Sequence, residues 1–453
     1  MVVLNRPSIL GIFLRPSADR EVRVGTLVRD APGVIMFEVD DSYLRLGRER
    51  PIVSLAWHGA TEQETLARLR NRGDKISHGR ILPPYFDNLL PEGALLELVE
   101  REFGTGSFDH YDVLARLGGD LPGAIVARRE AGEPPPKRLS DEAVEAPVTG
   151  KPISFSLAGV QLKFSMHGDT HRLTAPGADE SGDVILKLPS NKFPGLVENE
   201  YTSLQLARLA GVNVSDARLV DMKTIQGVPE KFRELGGYAL SLSRFDRAAG
   251  NVRIHTEDFA QIAGAIADDK YFRWNQETLL RSIKRFSNDP IGDVLEGLRR
   301  LVVDVMLGNS DGHLKNWSFI YPDGRHARLT PAYDIVSTLT YLHDTMALRF
   351  NGTKDPKIVD TARLRRIAPF IEVDLRVLER EMRQTATRAL DTWPKELKGL
   401  PASDATQDAI LSRFGSLALV REVRPSMVRG HDASTAPAEK SSTAKVGETD
   451  LPE

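Results

Sequence analysis

The sequence predicts an α+β protein with a strand-rich beginning, a mixed strand–helix middle and a mostly helical remainder. Three observations lead there. Short β-branched and aromatic runs broken by Pro and Gly fill residues 9–57. Strand-like and helix-like periods alternate over 153–247, and beyond 247 apolar residues recur at helical spacing. A chain of 453 residues exceeds one ordinary core, so about two to three domains or lobes are expected.

The bulk composition narrows the function classes. A hydrophobic share of 41% beside 27% charged residues is that of a folded globular chain. A net charge of −3 supplies no general basic field, which disfavours stand-alone nucleic-acid binding. The lack of cysteine excludes disulfides and thiolate metal sites and fits a reducing compartment. No run reaches the ~18 apolar residues of a membrane helix, and residues 1–14 lack the layout of a secretory signal. A cytoplasmic protein without a membrane partner is the expectation.

In chain order, residues 11–14, 22–28 and 34–37 read as strands of a small twisted sheet. Residues 80–93 are apolar and Pro-bracketed, read as core and capping, with Pro91 leading into a helix over 94–103. The Pro-rich run 131–138 and the charged residues to 150 form a linker. Val184-Ile185-Leu186-Lys187-Leu188-Pro189 is a buried strand stopped by proline, 198–209 a helix, and 238–243 a strand running into Arg244-Phe245-Asp246-Arg247. Residues 293–307 place Val294, Leu298, Leu301, Val302, Val305 and Met306 on one helical face. Helices also fit 360–370 and 374–393, whereas the tail from 424 is too poor in large apolar residues to offset its ordering entropy. The resulting organisation is a β-rich subdomain with linker (1–150), a strand–helix core (151–247), a helical lobe (248–423) and a disordered tail (424–453).

Chemistry concentrates in Asn309-Ser310-Asp311-Gly312-His313-Leu314-Lys315-Asn316. An Asp followed five residues later by an Asn is the spacing of a kinase catalytic loop, where Asp takes the acceptor proton and Asn holds a metal. The Asp-Gly pair also reads as an ordinary turn. Leu329-Thr330-Pro331-Ala332-Tyr333-Asp334 ends in a second carboxylate, placed as a magnesium ligand would be, with no Phe-Gly after it. Lys187, inside an apolar strand, is costly to bury unpaired. It reads either as a phosphate-bridging lysine partnered by Glu200 or as an edge-strand lysine that snorkels to water. Ser154 to Phe164 carries a single glycine, too few for a Walker loop. Its backbone amides near Gly159, with Lys163, could approach phosphate, but from these residues alone a plain hairpin turn is the preferred reading.

These pieces occur in kinase order, and the chain resembles HipA-type toxin serine/threonine kinases of bacterial toxin–antitoxin pairs. The resemblance rests on Tyr85-Phe86-Asp87-Asn88-Leu89-Leu90-Pro91-Glu92-Gly93, Phe155-Ser156-Leu157-Ala158-Gly159-Val160-Gln161-Leu162-Lys163, Ile185-Leu186-Lys187-Leu188-Pro189 and Asn199-Glu200-Tyr201. It continues through Arg244-Phe245-Asp246-Arg247, Ser310 to Asn316 and Leu329 to Ile335. It implies a two-lobed protein-kinase-like fold with an extra N-terminal β-rich subdomain. It also implies ATP and magnesium as cofactors, with Asp311 as base and Asn316 and Asp334 on the metal. Lys187 would contact phosphates, covered by Ala158, Gly159, Val160, Gln161 and Lys163. His313, Lys315 and Tyr333 would belong to the nucleotide site, Ser243 and Phe245 to the adenine hinge. Ser156 matches the serine that family members autophosphorylate to switch off. Ser243 departs from the pattern, since glutamate occurs there in the family. The implied partners are a protein substrate, in the family often an aminoacyl-tRNA synthetase, and a helix-turn-helix antitoxin through which DNA is met only indirectly. Two rivals are a degenerate kinase fold serving as co-repressor and a small-molecule or lipid kinase.

Overall fold

The computed structural model describes residues 8–17, 20–30, 33–93, 96, 109–130, 163–168, 173–174, 182–226, 233–249 and 252–425. The expected linker, the loop holding Ser156 to Gln161, nearly all of the 94–103 helix and the tail beyond 425 lie outside the described residues.

Period-two burial builds the first sheet. Leu10, Ile12 and Leu14 of β1 (Ser8–Ser17) are buried, as are Ile35 and Phe37 of β3 (Val34–Val39). That is the alternation of a sheet with one dry face. With β2 (Arg20–Arg29), β4 (Ile76–His78) and β5 (Ile125–Arg129) the order is β4-β3-β2-β1-β5, antiparallel throughout. Aromatic rings fill its dry side, with Phe37 edge-on to Phe86 at 4.8 Å and Trp57 tilted on Tyr85 at 4.9 Å. The Pro-bracketed segment 80–93 therefore does supply core residues, as its composition suggested.

The second sheet joins β6 (Lys163–Gly168), β7 (Leu173–Thr174), β8 (Val184–Lys187), β9 (Ala217–Asp221) and β10 (Tyr238–Ser243) in the order β7-β6-β8-β10-β9. Its middle strand is β8, so Lys187 is not an edge residue. The Leu196–Leu209 helix, begun two residues earlier than its periodicity indicated, packs on this sheet.

Beyond a β11 (Arg247–Ala248) and β12 (Val252–Arg253) hairpin the chain is mainly helical. The Pro290–Leu307 helix starts at its proline under an Asp289 cap and buries Val294, Leu298, Leu301, Val302, Val305 and Met306. The Leu375–Glu396 helix ties back to the strand–helix core through Trp393, whose Nε1 donates to the Leu206 carbonyl at 2.9 Å. Residues 360–370 are not one helix. Asp360 caps a 3-10 turn at Thr361–Arg363, and the α-helix runs Leu364–Ile371. A small sheet of β13 (His255–Asp258), β14 (Ser318–Tyr321) and β15 (Arg328–Leu329) also lies in this lobe. Periodicity gave no sign of β13, whose buried residues are His, Thr and Glu. Among the described residues no helix is long and apolar enough to cross a membrane.

The Arg244–Arg247 stretch locks the parts together. Arg244 grips Asp246 with two bonds of 2.9 Å and reaches Asp120 at 3.0 Å, while Arg247 meets Asp120 at 2.7 Å and Asp246 at 2.8 Å. Burial opposes the Arg244 charge, but Asp246 and Asp120 outweigh it and hold the guanidinium firmly protonated. Asp120 and the Gly123 amide, which donates to Asp246 at 2.8 Å, come from the first subdomain.

Candidate active site

The Pro290–Leu307 helix ends at Gly308, whose φ of 71° turns the chain back. A Cβ there would come within 2.5 Å of Leu339. The loop that follows is fixed by its own side chains. Asn309 Nδ2 donates to Asp304 at 2.8 Å, the Asp311 amide donates to Asn309 Oδ1 at 3.0 Å, and Asn316 Nδ2 donates to the Asp311 carbonyl at 2.8 Å. Asp311 is thereby held on a braced backbone with a partly exposed carboxylate. The Tyr271 hydroxyl donates to its Oδ1, and His313 Nε2 stands 3.9 Å from the same oxygen. Burial pushes the His313 imidazolium down to about 4, so the ring is neutral near neutral pH.

Opposite this loop, the Lys187 ammonium contacts both Glu200 and Asp334. Lys187 is 3% exposed, which removes the snorkelling reading. Burial alone would favour its neutral form, yet the Asp334 and Glu200 charges override it and hold the ammonium above its usual range. Asp334 sits at φ 54°, a left-handed backbone that only four non-glycine residues adopt among those described. Such strain persists where surroundings over-determine it, often at functional sites.

One cavity of about 690 Å³ is bordered by Lys187, Glu200, Asp311, His313, Lys315, Asn316, Tyr333 and Asp334, and by Ser243 and Phe245. Phe245 and Tyr333 rings lie 5.6 Å apart, and the Tyr333 hydroxyl donates to the Lys315 carbonyl at 2.9 Å. Apolar Ile185 and Leu242 beside Lys187 give the wall the mixed character that a nucleotide's base and phosphates require. Lys163 pairs with Lys187 in register through the β6–β8 ladder. Ser156, Ala158, Gly159, Val160 and Gln161 lie outside the described residues.

The donor set suits magnesium. Because the Asn316 amide nitrogen is engaged by the Asp311 carbonyl, its oxygen is the end left for a hard cation, on the cavity that the Asp334 carboxylate also borders. Among the described residues no group of three or more His, Asp or Glu side chains could hold a metal. Two protein oxygens completed by phosphate and water match how magnesium is usually bound.

Sequence reasoning missed three contributors. Glu92, read as part of a capping segment, takes Lys270 at 2.6 Å and Lys315 at 2.9 Å. Burial works against its charge, but Lys315 and Lys270 draw it down to about 2. Its signal was an acidic residue directly after an apolar stretch. Lys270 and Tyr271 carried no motif at all.

Residues 19–128 match the family model of the HipA N-terminal domain, and residues 155–393 that of the HipA-like C-terminal domain. "Putative kinase Y4dM" of Sinorhizobium fredii is 35% identical over 407 residues, covering 88% of this chain and 96% of that protein. The "Serine/threonine-protein kinase toxin HipA" of Shewanella oneidensis is 24% identical over 373 residues, covering 74% and 81%. A solved complex of Shewanella oneidensis HipA, HipB and operator DNA superposes with a TM-score of 0.66 at 21% identity. It covers 92% of this chain and 99% of that one, and so shares the two-lobed α+β kinase-like fold. Matched in both its N-terminal and C-terminal parts, the chain belongs to the HipA family of kinase toxins.

Proposed function

We propose that this chain is an ATP- and magnesium-dependent serine/threonine protein kinase, the toxin of a toxin–antitoxin pair. The observation that carries the reading is the meeting of Lys187 with Glu200 and Asp334 on the cavity that Asp311 and Asn316 also border. Lys187, oriented by Glu200, would hold phosphate oxygens of ATP, and Ser243 with Phe245 would border the adenine. Magnesium, held by Asn316 and Asp334, would neutralise charge on the transferring phosphoryl group. Asp311 takes the proton of an acceptor serine or threonine hydroxyl as that oxygen bonds the γ-phosphorus and ADP departs.

Ser156 is the proposed site of self-phosphorylation. A dianionic phosphate beside the γ-phosphate position would repel nucleotide and switch the enzyme off. The HipA–HipB–DNA complex supports a helix-turn-helix antitoxin as partner, with DNA met through it. The acceptor is a translation-related protein such as an aminoacyl-tRNA synthetase. The test is incubation with ATP and magnesium followed by mass spectrometry, and a phosphoproteome comparison of cells expressing this chain or its Asp311→Ala variant. Phosphate at Ser156 and protein targets lost in the variant are expected. Label confined to lipid or metabolite fractions would sink the protein-kinase reading.

A further inference from the structure

Tyr271 ends the 3-10 turn Ala267–Tyr271, which the chain enters at Ala267 with φ 48°. A non-glycine residue in that region is strained and is kept only where neighbours enforce it. Two successive side chains provide the enforcement. Lys270 bonds Glu92, which also takes Lys315 of the catalytic loop, and the Tyr271 hydroxyl donates to Asp311 Oδ1. The Tyr271 ring meets His313 edge-on, with centroids 4.9 Å apart and planes at 85°. Burial first, then the Asp311 charge, pushes the phenol well above its ordinary range, so it stays a donor. Among the described residues no other side chain hydrogen-bonds to the Asp311 carboxylate, so Tyr271 sets the rotation of that group.

We infer that Tyr271 is a positioning residue for phosphoryl transfer: by holding Oδ1 of Asp311 it presents Oδ2 to the acceptor hydroxyl. The inference rests on the kinase reading above. In the step, the acceptor oxygen bonds the γ-phosphorus while the bond from that phosphorus to the β,γ-bridging oxygen breaks. ADP leaves with the electron pair, the acceptor proton passes to Oδ2, and the Tyr271 proton stays on its phenol. Phosphoryl transfer asks the protein mainly for alignment, so a freely turning carboxylate is costly.

The test compares full-length wild type, Tyr271→Phe, Phe272→Ala and Asp311→Asn, using radiolabelled ATP, magnesium and myelin basic protein alongside self-transfer. Phe272 is the 68% exposed neighbour and controls for damage to the turn. Tyr271→Phe should lower kcat about 10- to 100-fold, leave KM for ATP within about twofold and lower the melting temperature by at most about 4 °C, with Phe272→Ala like wild type. Tyr271→Phe at or above the wild-type rate overturns the inference. So does a parallel rise in KM for ATP, or an equal loss in Phe272→Ala. An active wild type with an equally active Asp311→Asn removes the base and the role of Tyr271 with it. A wild type that transfers no phosphate overturns the kinase reading itself.

Discussion

Glu92 of the first subdomain accepts a hydrogen bond from Lys315 of the Asp311 loop at 2.9 Å, across 223 residues of chain. With Lys270 on its other oxygen, it makes the N-terminal part of the molecule a wall of the candidate site rather than an appendage.

That pairing has a stability consequence with a definite sign. The folded-state pKa of Glu92 lies at about 2, below the ordinary 4.5. The contribution is therefore fully present above about 4.5 and lost as pH falls through about 2. Glu92→Gln should lose about 3 kcal/mol near pH 7, with a smaller deficit near pH 3. Urea unfolding at the two pH values reads it, and a deficit that does not shrink in acid contradicts the pairing.

Lys187→Met removes the cation that pairs with both Glu200 and Asp334, leaving two carboxylates beside one another. Breaking a buried pair this way costs about 3–5 kcal/mol, and transfer should fall at least about 100-fold. Thermal melting and a labelled-ATP assay are the measurements. A variant with wild-type activity would show that the lysine does not serve phosphate.

Asp311→Ala should separate activity from stability. Loss of the Tyr271 hydrogen bond to this partly exposed carboxylate should cost only about 0.5–1.5 kcal/mol. Loss of the base should lower transfer by about 10²- to 10⁴-fold. Undiminished transfer in a well-folded variant would remove Asp311 from the mechanism.

Glu257 predicts the opposite pH trend. Burial pushes its carboxyl up to about 7, against the pull of the Tyr321 hydroxyl and the Leu55 amide, which donates at 2.9 Å. Stability linked to a raised carboxyl is complete below its unfolded value of 4.5 and lost as pH rises through about 7. Glu257→Gln keeps an oxygen for both donors and should exceed wild type by about 1–3 kcal/mol above pH 7. Melting curves should converge near pH 4, and a constant difference across that range would mean that Glu257 is charged throughout.

What the sequence determined by itself was local. The five-residue step from Asp311 to Asn316, the lysine inside an apolar strand and the one-sided helix before Asp311 are short-range patterns. Backbone geometry converts such spacing directly into direction. Even the Lys187–Glu200 partnership was legible, because strand and helix adjoin in the chain. The β13 strand was not, since His255, Thr256 and Glu257 are buried polar residues whose place depends on pairing with β14 some sixty positions on.

Only the tertiary structure decided that Lys187 also meets Asp334, that Glu92 clamps two lysines, that Tyr271 holds Asp311 and that Arg244 reaches Asp120. The physical reason is common to all four. A charged or hydroxyl side chain carries no local periodicity, and its energy is set by which opposite charge shares its low-dielectric surroundings once distant segments close on one another.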